Sequence, residues 1–148
     1  MDKEKAHQYF SADCFNSTWG YLDKAERTAE EDLEMIHCAH ASMYHWLQRE
    51  DCKPLNLSIG LWQLSRVYVT IGDVVSATRY AEQCEAISRE NETGAFSIGF
   101  ALEARARAAA LAGERDAADR LVAEARDLAE KIEDPGDKKL LLDDLVTV

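Results

Sequence analysis

The chain predicts an all-α protein, a superhelix of stacked antiparallel helical hairpins with about seven helices, in one domain over residues 1–148. Three observations predict it. Proline occurs only at positions 54 and 135, both at segment boundaries. Ala, Leu, Glu and Arg, strong helix formers, fill the segments between, and no stretch alternates apolar and polar residues for long enough to build a sheet. A shift of 41 residues superposes Leu61 on Leu102, Arg66 on Arg107, Gly72 on Gly113, Ala77 on Ala118 and Cys84 on Ala125.

The elements follow in order. A first helix covers about 4–22. Thr28-Ala29-Glu30-Glu31 is a capping box that opens a helix over about 29–50, because the Thr hydroxyl and the Glu carboxylate each satisfy a free backbone N–H. The break Asp51-Cys52-Lys53-Pro54-Leu55 precedes a helix that Asn56 caps and Gly72 ends. Asp73 caps a fourth, reaching about 90. After the turn Asn91-Glu92-Thr93-Gly94, a fifth helix runs over about 95–112 to Gly113, and a sixth over about 115–132. Asp134-Pro135 supplies an N-cap and a first-turn proline for a short last helix. In both copies of the repeat a helix stops at a glycine, where a left-handed residue meets no side-chain clash, and the next helix offers a small alanine. That is the pattern of an αα-hairpin, and stacked hairpins make a right-handed solenoid. Residues 1–55 form a degenerate first hairpin, 56–132 two repeat hairpins, and 133–148 a capping helix bearing Leu140, Leu141, Leu142 and Leu145.

Leu64, Tyr68, Gly72 and Ala77 resemble the Leu, Tyr, Gly and Ala pattern of the tetratricopeptide repeat. The resemblance covers about 57–90 well and about 98–131 in part, where Gly113 and Ala118 match while Arg105 and Ala109 replace the Leu and Tyr. The period of 41 exceeds the usual ~34 residues, so the likeness is to a TPR-like repeat. The strings His40-Ala41-Ser42-Met43-Tyr44-His45-Trp46 and Ser65-Arg66-Val67-Tyr68 are similar to those of an uncharacterised group of bacterial helical-repeat proteins. That likeness implies a fold and no chemistry.

Composition narrows the function classes. Lys and Arg number 17 against 28 Asp and Glu, a net charge of −11 and a pI near 4.8. Neutralising a phosphate backbone or an anionic bilayer takes a basic surface, so neither nucleic acid nor membrane is an expected partner. At 47% hydrophobic and 30% charged residues, the chain is too apolar for a disordered acidic tail. The N-terminal stretch lacks the apolar run of a signal peptide, and Cys14, Cys38, Cys52 and Cys84 have no paired spacing. Reduced thiols in a cytoplasmic protein are expected.

Chemical constellations are sparse. On the second helix Leu33, Ile36, His37, His40, Tyr44 and Leu47 share one face, while Met35, Ala39 and Trp46 make a second apolar strip; a helix apolar on two sides is expected to be sandwiched between neighbours. Glu34-Met35-Ile36-His37 has the ExxH spacing by which ferritin-like helices offer iron a carboxylate and an imidazole, and His40 lies one turn on. Glu34, His37 and His40 are therefore the residues of a metal-binding alternative, set against the reading that these histidines simply bond carbonyls or hydroxyls. A small molecule around His40, Tyr44 and Trp62 is another alternative. Cys38 and His45, two turns apart, are poorly placed for a thiol nucleophile and its base. There is no nucleophile elbow, phosphate-cradling loop or HExxH site. A non-enzyme without a cofactor is expected.

The repeat offers the better surface. In TPR-like stacks the first helix of each hairpin lines a groove. The repeat aligns Ile59 with Phe100, Trp62 with Glu103 and Arg66 with Arg107. Two arginines on one wall repel unless a carboxylate lies between them, and a guanidinium fork suits one. These six residues define the expected groove of a protein-protein interaction or scaffold module, with an acidic or carboxylate-ended segment as partner. The competing reading is that Glu103 and other acids satisfy both arginines internally. Trp19, on an unpaired first helix, marks a candidate homodimer contact.

Overall fold

The computed structural model describes residues 1–148 and consists of seven α-helices with no strand: α1 Lys3–Leu22, α2 Ala29–Leu47, α3 Pro54–Thr70, α4 Val74–Glu90, α5 Ala95–Leu111, α6 Arg115–Ala129 and α7 Pro135–Val146. No helix is long and apolar enough to cross a membrane. The helices pair as hairpins α1–α2, α3–α4 and α5–α6. The first members form one layer, α3 between α1 and α5, while α2 also rests on α3, α4 also rests on α5, and α7 closes the far end against α5 and α6.

Local chemistry sets the boundaries. Thr28 accepts from the Glu31 amide at 3.2 Å, and the Glu31 carboxylate accepts from the Thr28 amide at 3.0 Å, completing the capping box. The third helix begins earlier than the Asn56 cap implies. Pro54 takes the first turn, and Asn56, one turn inside, accepts from the Lys53 amide at 2.9 Å. Proline lacks the amide that would need a cap there, so the start moves forward. The two repeat turns are alike in detail. Gly72 and Gly113 have φ of 82° and 79°. The Asp73 amide reaches the Tyr68 carbonyl and the Glu114 amide the Ala109 carbonyl, both at 2.9 Å. Each glycine thus ends its helix in a left-handed Schellman turn, 41 residues from the other.

Small residues bring the hairpins together: Ala77, Ala81, Ala118 and Ala125 are fully buried between paired helices. Apolar packing divides into two clusters. One, around Met35, Ala39, Leu64 and Val67, joins α2 to α3. The other, around Phe100, Leu102, Ala125, Ala129, Leu141 and Leu145, joins α5, α6 and α7. α1 is fastened differently, since its two buried residues are Ser11 and Thr18. The Ser42 hydroxyl donates to the Ser11 carbonyl at 2.7 Å, Arg49 to the Ser11 hydroxyl at 2.9 Å, and the Gln63 amide to the Phe15 carbonyl at 3.0 Å.

The second helix is not sandwiched. Met35, Ala39 and Ser42 face inward, but Leu33, Tyr44 and Leu47 stand in solvent, because α2 lies on the outer side of the stack.

Candidate functional site

Glu103 lies in the middle of α5, where Ala101, Leu102, Ala104 and Ala106 pack tightly around the backbone, and its side chain is 0% exposed. A carboxylate in such a place must be paired and hydrogen-bonded. Three donors converge on it. Trp62 Nε1 donates to Oε2 at 2.8 Å, Arg66 Nη2 to Oε1 at 3.2 Å, and Arg107 Nε to the same oxygen. The repeat brings Trp62, Arg66, Glu103 and Arg107 together, and the two arginines share one internal carboxylate, as the competing sequence reading has it.

α7 takes up the remaining donors. Arg66 Nη2 also reaches Asp144 at 3.3 Å, and Arg107 Nη2 donates to the Asp144 carbonyl at 2.9 Å and to the Thr147 hydroxyl. Arg107 spends its whole fork on the chain's own acid and carbonyls, whereas Arg66 pairs with Glu103 and Asp144 through Nη2 alone. Burial lowers the pKa of Arg66, with Arg107 adding to it, although Glu103 and Asp144 pull the other way. Burial also raises that of Asp144, with Glu103 assisting and Arg66 opposing. Both shifts run against the charged forms, so desolvation outweighs the Arg66–Asp144 attraction. The pair therefore positions α7 more than it stabilises it. Arg66 Nε is buried without a partner, while its guanidinium carbon stands 5.6 Å from the Trp62 ring centre.

Beside this ionic knot the layer α1–α3–α5 opens into a cleft of about 440 Å³, walled by Trp19, Ile59, Trp62, Phe96, Phe100 and Leu140, with Asp144 at its edge. Trp19 and Trp62 lie 5.5 Å apart, Trp62 and Phe100 meet edge-on at 5.4 Å, and Phe96 and Phe100 at 4.9 Å. Of the six groove residues, Ile59, Trp62 and Phe100 line this cleft, whereas Arg66, Glu103 and Arg107 lie in the knot next to it. Trp19 packs on Trp62 as part of the cleft wall.

Sequence reasoning missed Phe96, Leu140 and Asp144 as site residues. Phe96 could have been found from its place one turn before Phe100; the contributions of α7 carry no signal in the repeat. At the cleft's base the Ser58 and Ser88 hydroxyls bond at 2.6 Å, and Cys84 Sγ donates to the Ser58 carbonyl at 3.3 Å. Burial pushes the Cys84 thiol up to about 11, and burial also raises Cys14, Cys38 and Cys52. These are poor nucleophiles.

The structure does not gather Glu34, His37 and His40. No group of three His, Cys, Asp or Glu side chains is placed to hold a metal ion. His40 Nε2 bonds instead with the Tyr68 hydroxyl at 2.9 Å, its ring between Tyr68 and Tyr80, while Glu34 and His37 stand exposed. Nor do His40, Tyr44 and Trp62 form a pocket: Tyr44 faces solvent and Trp62 lines the cleft on the first-helix layer. Cys38 and His45 do not pair either, since His45 Nδ1 lies 2.8 Å from His7 Nδ1. Comparison with family models, with curated proteins and with solved structures gives no match for this chain.

Proposed function

We propose that the chain is a non-catalytic, TPR-like interaction or scaffold module that receives a segment of a protein partner in the cleft between its first helices. The observation that carries this reading is the aromatic wall: Trp19, Ile59, Trp62, Phe96 and Phe100 bound an open space of about 440 Å³. Contiguous apolar surface left open on a small protein marks a place of contact, and a space of this size takes one or two large side chains. The raised Cys84 thiol suits a packing role and not that of a nucleophile. Four free thiols suit a reducing, cytoplasmic setting.

The partner's chemistry differs from an acidic segment. Arg66 and Arg107 are engaged within the chain, the cleft's edge carries the Asp144 carboxylate, and the net charge is −11. Charge complementarity therefore favours apolar anchor residues flanked by Lys or Arg.

Selection of displayed random peptides against the purified chain, with Ile59→Glu as counter-target, tests the reading. Supporting binders carry an aromatic or Leu anchor beside basic residues, change the tryptophan fluorescence, and lose affinity at least about tenfold on Ile59→Glu. Peptides that bind Ile59→Glu equally, or no selected binder at all, would refute it.

A further inference from the structure

The outer side of α2 carries a seam that the rest of the chain covers only at His40, whose ring packs between Tyr68 and Tyr80. Leu33, His37, His40, Tyr44 and Leu47 follow at steps of four, three, four and three residues. This is the a/d alternation by which one helix lies along another in a two-stranded coil. The seam runs opposite the buried Met35, Ala39 and Ser42, and Leu33, Tyr44 and Leu47 are 58%, 58% and 57% exposed. The companion helices of the same layer are a built-in comparison. Beside the lone apolar Val75, exposed outer positions include Arg79, Glu82 and Gln83 on α4, and Asp116, Arg120 and Asp127 on α6. Polar residues there are what solvent requires, so the α2 seam is specific to that helix. At its far end the apolar surface continues through the His45 ring, 5.4 Å from both Tyr44 and Phe10, to Tyr9 on α1.

We propose that this seam is the interface with a second copy of the chain, the two α2 helices packing antiparallel across a two-fold axis. A two-fold interface must complement itself, and the seam does. In antiparallel register Leu33 meets the second copy's Tyr44, a contact that occurs twice, with the exposed His37 side chains between them. The helix dipoles fix the direction. Antiparallel packing opposes them, whereas parallel packing would set two first turns, each with Glu30, Glu31 and Asp32, side by side. The area suffices: Tyr9, Phe10, Leu33, Tyr44 and Leu47 are each at least 43% exposed, and ten such side chains from two copies bury roughly 1,000 Å², where specific interfaces begin. The seam lies in the layer away from the cleft, so a dimer keeps both clefts open.

Analytical ultracentrifugation of the full chain tests this. The chain sediments as a dimer that tightens with added salt, since screening relieves repulsion between two copies each carrying −11. Leu33→Glu and Tyr44→Glu, at exposed positions where folding does not depend on them, each weaken the dimer at least about thirty-fold. Val75→Glu, at an exposed apolar site on α4, leaves it intact. A chain monomeric at every concentration up to about 1 mM overturns the proposal. So does a dimer indifferent to both seam variants, or one broken equally by Val75→Glu.

Discussion

Trp62 and Glu103 stand 41 residues apart, at equivalent places in successive hairpins, and the indole of one donates to the carboxylate of the other at 2.8 Å. The repeat bonds to itself through its own period. Arg66 and Arg107, the next equivalent pair one turn further along, close on the same carboxylate. α3 and α5 are thereby fixed side by side, and the cleft beside them has a rigid base.

Glu103→Gln keeps an acceptor for the Trp62 indole but leaves two guanidinium groups around a neutral amide. Breaking a buried ion cluster from one side costs about 3–5 kcal/mol. Asp144→Asn, at a partly exposed carboxylate that burial already disfavours, costs under about 1 kcal/mol. Urea unfolding followed by circular dichroism measures both, and equal losses would refute Glu103 as the centre of the network.

The glycines separate by sign. Gly72→Ala and Gly113→Ala place a side chain at φ near 80° and lose about 1 kcal/mol each. Gly99→Ala puts a methyl group 2.5 Å from Leu141 Cδ2, which is fully buried, at a cost of about 1–3 kcal/mol. Gly20→Ala meets nothing within 4 Å and gains roughly 0.5–1 kcal/mol in helix propensity. Thermal melts of the four variants should give three losses and one gain.

An environment-sensitive apolar dye should report the cleft. Trp19 and Trp62 share its wall, so dye binding and transfer of tryptophan emission to the dye occur together. Ile59→Glu and Leu140→Glu reduce dye affinity about tenfold each with unchanged helix content. Retained affinity in both would place the dye elsewhere.

Acid weakens the fold through His40. Burial, and secondarily His37, holds its pKa below the ordinary value of 6.5; His45 shifts the same way, by burial and then His7. A base with a depressed folded pKa takes up protons more readily when unfolded. Its contribution is complete above about pH 6.5 and declines as pH falls through that value. The melting temperature should therefore drop between about pH 7.5 and about pH 5.5, and His40→Gln should flatten the slope. An unchanged slope would exclude His40 as a source.

Much of the fold was legible because its signals are local. Thr28 and Glu31 lie within one turn, Gly72 and Gly113 end helices by their own conformational freedom, and the period shows wherever a small alanine follows a glycine. The alignment of Trp62 with Glu103 could be read from that period alone. What could not be read depends on long-range placement. Asp144 reaches Arg66 from 78 residues away, and α7 carries no copy of the repeat to predict its seat. The spacing of His37 and His40 suggested ligands because a helical wheel shows which side chains share a face and not what stands opposite; Tyr68 does. The apolar outer face of α2 was legible as a face, but its exposure follows from the position of α2 in the outer layer.

The hydroxyl fastening of α1 gives the array an uneven resistance to thermal agitation. Where Leu141 and Leu145 seal one extremity with hydrocarbon, Ser11 and the Phe15 carbonyl hold the other through polar bonds from Ser42, Arg49 and Gln63. Amide deuteration should therefore advance inward from α1 and reach α5 last. Because Trp19 rides on that terminal rod, lifting of α1 would widen the aromatic mouth and admit a bulky guest from that margin of the stack.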